Sequence, residues 1–290
     1  MCSLPLSPRP SPVLVTPTGP VLARLLWLPA LGVPARKYQR FASVLAERGI
    51  AVGLHEWRGT GDCAERPGSG NDWGYREWLL DDVPASAEAL RSAFPDAPLL
   101  VGGHSIGGQM AVLAAALGLD AQGLVAVASG VPHWRLFPRW RHRLAVGGFG
   151  AALPMLTRTV GHYPGQRLGF AGREAGQLMR DWAGTVRRGH YDGLRGLPAD
   201  LGSRLAKVRA PMLGLRYARD WLVPQASLDA LLEMTASTSI ERHTFDDAGA
   251  GTRADHFAWM REPAPTADRV SDWWRRVSAT RETPPPRLSP

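Results

Sequence analysis

The chain has little cysteine and almost no lysine. Two cysteines, Cys2 and Cys63, are too few for a disulfide framework, and no Cys-x-x-Cys pair or Cys/His cluster indicates a metal site. We therefore expect a reducing, cytoplasmic environment. Lysine occurs only at positions 37 and 207, so the 34 basic residues are almost all arginines.

Long hydrophobic runs are also lacking. The longest weakly polar stretch, from Leu144 to Leu156, is interrupted by three glycines and a proline and is too short to cross a bilayer. The opening "MCSLPLSPRPSP" has no charged region followed by an apolar core, so no signal peptide is predicted. We expect no integral membrane segment, although peripheral contact with a membrane stays possible.

The net charge of +8 raises the question of an anionic partner. The arginines are scattered through predicted helices, without a Lys/Arg run or zinc-finger spacing. We expect no nucleic-acid partner.

Six short apolar segments are continuous rather than alternating, which is typical of buried parallel strands. They are Val21 to Leu28, Ile50 to Leu54, Pro98 to Val101, Leu124 to Ala128, Pro211 to Leu215 and Ser239 to Phe245. Helix-period segments lie between them, for example "YQRFASVLAERG" at 38–49, which ends in a glycine suited to a helix terminus. The alternation predicts an α/β fold with a doubly wound, mostly parallel sheet.

One long stretch interrupts this alternation. Residues 131–205 are rich in Trp, Arg and Gly, contain no clear strand and are too long for a connecting loop. We predict a helical lid inserted there into a core formed by 1–130 and 206–278. Residues 279–290 are predicted to be a disordered tail.

The segment "GGHSIGGQM" contains the pattern G-x-S-x-G centred on Ser105. A predicted strand precedes it and a predicted helix follows, which is the context of a nucleophile elbow. No Lys-Ser/Thr follows and G-x-G-x-x-G is absent, so a phosphate-binding loop is excluded and no cofactor is expected. The pattern therefore favours Ser105 as a nucleophile, and we interpret the neighbouring His104 as structural.

Four further segments strengthen this interpretation: "LPALGVPARKY", "LHEWRGTGDC", "RDWLVP" and "DHFAW". Together with "GHSIGG" they resemble the α/β-hydrolase superfamily from about Val21 to Val277. Among its branches the chain is most similar to serine hydrolases related to monoglyceride lipases and serine aminopeptidases. The resemblance implies an α/β-hydrolase fold with an inserted helical lid.

The superfamily places its catalytic residues in the chain order Ser, Asp or Glu, His, on loops after later strands. This order implies Asp220, just after the strand predicted at 211–215, as the acid and His256 as the base. Asp246, Asp247 and Asp255 are rival acids in the segment "DDAGAGTRAD", and His243 is a rival base.

The predicted oxyanion hole departs from the family pattern. Many members have His-Gly where this chain has Pro29-Ala30. A backbone donor survives the change, so the amides of Leu31 and Ile106 are expected to bind the oxyanion.

These residues predict a serine hydrolase that cleaves a carboxylic ester or thioester of a small-molecule acyl substrate through an acyl-enzyme. A perhydrolase or acyltransferase on the same three residues, or a binding protein that has lost the chemistry, are the alternatives.

Two interpretations of the predicted lid stay open. In "HWRLFPRWRHR", Trp134, Phe137 and Trp140 could line an acyl entrance while Arg135, Arg139 and Arg143 attract an anionic head group. Alternatively, the arginines are simply solvated on an amphipathic surface.

Overall fold

The computed structural model describes residues 11–282 except 62 and 64. Its strands are β1 Val13–Val15, β2 Ala23–Leu28, β3 Ile50–Leu54, β4 Leu99–His104, β5 Gly123–Val127, β6 His162–Pro164, β7 Arg173–Ala175, β8 Met212–Tyr217 and β9 Ile240–Phe245. Its α-helices are α1 Gln39–Glu47, α2 Tyr75–Glu77, α3 Val83–Ala93, α4 Ile106–Ala116, α5 Trp140–Val160, α6 Gly165–Leu168, α7 Gly176–Arg188, α8 Leu201–Leu205, α9 Gln225–Leu232, α10 Asp247–Ala250 and α11 Ala264–Glu282. Short 3-10 turns cover Ala35–Tyr38, Trp134–Leu136 and Ala258–Met260, and Trp78–Asp82 is π-helical.

A seven-stranded sheet in the order β1-β3-β2-β4-β5-β8-β9 forms the centre of the molecule. All its neighbours pair in parallel except β1, which runs antiparallel to β3 at one edge. Every residue of β2, β3, β4 and β5 is buried, as expected for central strands covered on both faces. The predicted doubly wound α/β-hydrolase fold is confirmed.

Helices cover both faces of the sheet because alternate strand residues point to opposite sides. Leu26 and Leu28 pack in a core with α3, α4, α8 and α9. Leu25 and Trp27 pack in a second core with α1 and α11. All six predicted strands are present. The edge strand β9 is half-exposed along most of its length rather than buried.

Residues 131–205 contain α5, α6, α7 and α8, but also β6 and β7, which pair antiparallel. The expectation that this segment has no strand is therefore wrong. Strands of three residues are too short to give a visible two-residue period. Leu153 on α5 and Met179 and Ala183 on α7 form a small core with Tyr163 of β6.

The end of the chain also differs from the expectation. Helix α11 continues through Glu282, so residues 279–282 of the predicted tail are helical. The rest of that tail, 283–290, and Cys2 lie outside the described residues. Within the described ranges, we find no helix with the length and apolar character needed to cross a membrane.

Candidate active site

Ser105 occupies a strained turn between the end of β4 and the start of α4. Its backbone has φ +55° and ψ −120°, a conformation that non-glycine residues rarely adopt. A Cβ added to Gly103 or Gly107 would overlap the backbone of Leu28, so both positions need glycine. Two hydrogen bonds hold the turn: the Ser105 amide donates to the Val127 carbonyl, and the Ser129 hydroxyl donates to the Ser105 carbonyl. The neighbouring strand β5 thus stabilises the strained conformation.

Asp220 and His256 lie 36 residues apart in sequence and are hydrogen-bonded. His256 Nδ1 is 2.8 Å from Asp220 Oδ2, and both side chains are buried. Asp220 Oδ1 accepts hydrogen bonds from the amides of Leu222 at 2.9 Å and Val223 at 3.2 Å. Because a carboxylate only accepts, Nδ1 carries the proton and the Nε2 lone pair is left as a proton acceptor.

Ser105 and His256 line one cavity of about 500 Å³. Leu31 and Ile106 line it as well. Ile106 is the first residue of α4, where helix amides have no partner within the helix. Among the described residues we find no acceptor for the amide of Leu31 or Ile106. The structure thus brings four of the five predicted site residues to one cavity, with Asp220 directly behind His256.

Comparisons with known proteins bear on the family and the fold of this chain. The family model described as serine aminopeptidase, S33, matches residues 20–249. The chain belongs to this family. It is a hydrolase of the α/β-hydrolase superfamily, as its sequence motifs predicted. A search of curated protein sequences found no significant match to this chain.

Solved structures with the same fold include lipases and an esterase. A soluble variant of the Saccharomyces cerevisiae monoglyceride lipase has a TM-score of 0.68 at 14% identity, covering 96% of this chain and 99% of that one. The Paleococcus ferrophilus monoacylglycerol lipase has a TM-score of 0.61 at 16% identity, covering 92% and 99%. A Pyrococcus furiosus esterase has a TM-score of 0.53 at 16% identity, covering 88% and 82%. At these identities the likeness establishes the shared fold.

The rival acids of this S33 hydrolase have other partners. Asp246 caps α10 by accepting from the Gly249 amide, and Asp247 pairs with Arg219. Asp255 accepts from the amides of Phe257 and Ala258 and pairs with Arg253.

The rival base His243 lies on β9, with its ring against Phe245. Burial, then the charge of Arg269, lowers its pKa. It does not line the cavity that holds Ser105.

A buried hydrogen-bond chain that sequence reasoning missed connects the two loops of the hydrolase's site. The Ala30 amide donates to the Tyr38 hydroxyl at 3.0 Å, and this hydroxyl lies 2.9 Å from Nδ1 of His104. Burial raises the pKa of Tyr38 and lowers that of His104 well below its usual range, so a protonated phenol donates to a neutral imidazole. Ala30 directly precedes Leu31, and His104 precedes Ser105. The one available signal was Tyr38 itself, within "LPALGVPARKY".

We predict that Tyr38→Phe lowers kcat roughly tenfold while KM changes little, because the Pro29–Ala30 peptide, which precedes the Leu31 amide, loses an orienting hydrogen bond worth about 1–2 kcal/mol. Steady-state kinetics on a soluble ester measure the split. The control is Tyr217→Phe, which removes another buried hydroxyl, hydrogen-bonded to Thr266. An equal fall in kcat for both variants would indicate that Tyr38 contributes only to the stability of the fold.

The inserted segment 131–205 supplies about half of the cavity wall. Its aromatic contributors are Phe137, Tyr163, Phe149, Phe170 and Trp182. Of the three aromatic residues that one interpretation places at an acyl entrance, Phe137 lines this cavity. Trp140 is 65% exposed, and Trp134 packs against Gly147 and the guanidinium of Arg135. Trp134 and Trp140 do not line the cavity because the backbone is extended at Phe137 and Arg139, which breaks the helical spacing. Their place at an entrance stays a prediction.

The inserted segment also contacts the loop that follows Leu31. Gly32 has φ +72°, and a Cβ there would overlap the backbone of Gly172. The Gly172 amide donates to the buried carboxyl of Glu174 at 2.8 Å. Burial raises the pKa of Glu174 to about 7, although the Gly172 amide opposes this shift. The carboxyl of Glu174, which titrates near neutral pH, thus supports the turn at Gly172 that packs against the loop after Leu31.

We predict that Glu174→Gln stabilises the protein at alkaline pH. The glutamate pKa is about 4.3 in the unfolded chain and about 7 in the folded state. Between these values the folded state binds a proton that the unfolded chain has lost, so the free energy of unfolding of the wild type falls as pH rises from about 4.3 to 7. Glutamine cannot ionise and still accepts from Gly172, so at pH 8 the variant should be about 3 kcal/mol more stable. Urea unfolding across this pH range measures the difference. The exposed Glu262→Gln is the control, and parallel curves for wild type and Glu174→Gln would contradict the prediction.

Proposed function

We propose that this protein is a serine hydrolase that cleaves a carboxylic ester or thioester through an acyl-enzyme intermediate. The observation that carries the proposal is a convergence of three side chains. Ser105, at a φ of +55°, shares a cavity with His256, and Asp220 orients the His256 ring. A serine hydroxyl is a weak nucleophile, and an adjacent oriented base is what activates it.

In the proposed reaction, Ser105 Oγ attacks the carbonyl carbon while His256 Nε2 takes its proton. The Leu31 and Ile106 amides donate to the oxyanion, and fixed donors of this kind stabilise the transition state more than the substrate. His256 then protonates the leaving group as the carbon–oxygen or carbon–sulfur bond breaks. Water, deprotonated by His256, hydrolyses the acyl-enzyme and restores Ser105. Asp220 accepts the hydrogen bond from His256 Nδ1 and stabilises the imidazolium formed in both steps.

The cavity wall supports an apolar acyl group as the part of the substrate nearest Ser105. Its lining is mainly aliphatic and aromatic, including Val146, Phe149, Phe170 and Trp182. A volume of about 500 Å³ falls within the range of small-molecule sites. We assign residues 131–205 the role of a lid, since this segment contributes about half of that wall and contacts the loop after Leu31.

Labelling with a fluorophosphonate, an electrophile that reacts with activated serines, tests the proposal. Intact-mass spectrometry of the folded protein should show one added phosphonyl group, absent in Ser105→Ala and strongly slowed in His256→Ala. The control is Ser43→Ala, which removes an exposed hydroxyl on α1 that does not line the cavity and should leave labelling unchanged. Failure to label folded wild-type protein would favour a binding protein without hydrolase chemistry.

A series of p-nitrophenyl esters and acyl thioesters of increasing chain length then tests the acyl assignment. kcat/KM should rise with chain length until the cavity is filled, because each buried methylene contributes about 0.8 kcal/mol. A kcat/KM that does not change with chain length would mean that the acyl group does not bind in this cavity.

A further inference from the structure

A second cavity of about 390 Å³ lies beside the first, and Trp221 lines both. Four basic side chains face it: Arg139 and His142 from the inserted segment, and Arg216 and Arg219 from the end of β8 and the loop that follows. The His142 ring packs against Trp221, with ring centroids 4.8 Å apart. A concave basic site thus begins where the apolar cavity ends.

Two of the three arginines, Arg139 and Arg216, have no anionic partner among the described residues. Arg219 pairs with Asp247 at 2.7 Å. For the guanidinium groups of Arg139 and Arg216, we find no ion pair or hydrogen bond within the described part of the chain, and Nε of Arg216 is buried without a partner. The carboxylate on this lining, Asp220, already has both oxygens bound, by His256 and by two backbone amides.

The surrounding sequence adds to the positive potential. Residues 131–173 contain seven arginines and no Asp or Glu, so nothing on α5 or the loops that flank it offsets Arg139. Arg139 is exposed and Arg216 half-buried, and an arriving anion would give both guanidinium groups the partner that the described residues do not supply. Two guanidinium groups suit a phosphate, since each can bind two of its oxygens, and their charges match a dianion better than a single carboxylate.

We propose that the second cavity binds a phosphate group on the leaving-group side of the substrate. This assignment rests on the proposed ester hydrolysis. The acyl chain lies in the apolar cavity, the ester carbonyl lies at Ser105, and the phosphorylated alcohol extends past Trp221 to Arg139 and Arg216. The substrate class is therefore acyl esters of small phosphorylated alcohols.

Two esters of hexanoic acid test the proposal kinetically, one with glycerol and one with glycerol 3-phosphate. Both are used as dissolved monomers, so no lipid surface takes part. The phosphorylated ester should have the higher kcat/KM. Arg139→Gln and Arg216→Gln should each lower the ratio of phosphorylated to neutral ester roughly tenfold, the usual effect of one lost charged hydrogen-bond pair.

The matched control is Arg158→Gln, an exposed arginine on α5 that does not line the second cavity. It removes the same charge and should leave the ratio unchanged. An equal loss in Arg158→Gln, or no preference in wild type, would overturn the proposal. If the preference appeared only when the esters were presented on anionic vesicles, a surface effect would replace the cavity as its cause.

A binding measurement separates this proposal from the hydrolase assignment. Millimolar inorganic phosphate should raise the melting temperature of Ser105→Ala relative to chloride at equal ionic strength, and Arg139→Gln/Arg216→Gln should abolish the shift. A rise in melting temperature without turnover of either ester would contradict the esterase assignment and support the anion site. Turnover of both esters without such a rise would support the esterase assignment and contradict the anion site.

Discussion

Ser105→Ala and His256→Ala are each expected to lower kcat by roughly 10⁴- to 10⁶-fold, with the protein still folded. Without the hydroxyl no acyl-enzyme can form, and without the imidazole no group accepts the proton of Ser105. Steady-state kinetics on a p-nitrophenyl ester measure the loss, and circular dichroism checks the fold. The residual rate should come from binding and the oxyanion donors alone.

The double variant distinguishes a concerted unit from separate contributions. When either residue is absent, the other contributes little to catalysis. The kcat of Ser105→Ala/His256→Ala should therefore be only slightly lower than that of either single variant. Losses that multiply instead would mean that the two residues act independently.

Asp220→Asn should lower kcat by about 10⁴-fold, and the reason is the proton on His256. An amide group at position 220 can donate to Nδ1, which moves the imidazole proton to Nε2, where it blocks acceptance from Ser105. Steady-state kinetics on the same p-nitrophenyl ester measure this loss.

Asp255→Asn provides the matched comparison. Asp255 neighbours His256 in sequence, but its carboxylate accepts from two backbone amides and pairs with Arg253. Asparagine retains an acceptor oxygen, so kcat should fall by less than about tenfold, which is the effect of losing one hydrogen bond. Full activity in Asp220→Asn together with a large loss in Asp255→Asn would identify Asp255 as the acid.

The local sequence pattern was sufficient to predict the strands and the turn that holds Ser105. Central parallel strands are buried on both faces, so their apolar runs are continuous and visible in the sequence. The predicted end of β4 was short by three residues, because Gly102 and Gly103 are poor strand formers in isolation. In the structure both are buried within β4, where Cβ atoms would overlap Val125 and Leu28. Their strand conformation depends on neighbours that are distant in sequence.

The cavity wall was harder to predict. Trp134, Phe137 and Trp140 look equivalent in sequence, yet only Phe137 faces the cavity and Trp140 is exposed. Which aromatic ring is buried depends on where a short 3-10 turn ends and α5 begins. Such boundaries follow from packing against α7 and the core.

By itself, the sequence determined the α/β alternation, the glycine spacing around Ser105 and the order of candidate residues along the chain. These properties are local, since each depends on the side-chain volume and polarity of adjacent residues. Only the tertiary structure decided that Asp220, rather than three rival acids, meets His256, that Tyr38 joins the two loops, and that Arg139 and Arg216 share a cavity. Asp220 and His256 are 36 positions apart, Tyr38 and His104 are 66 apart, and Arg139 and Arg216 are 77 apart. These contacts form because the parallel sheet brings the carboxyl ends of its strands to one edge, which no local pattern encodes.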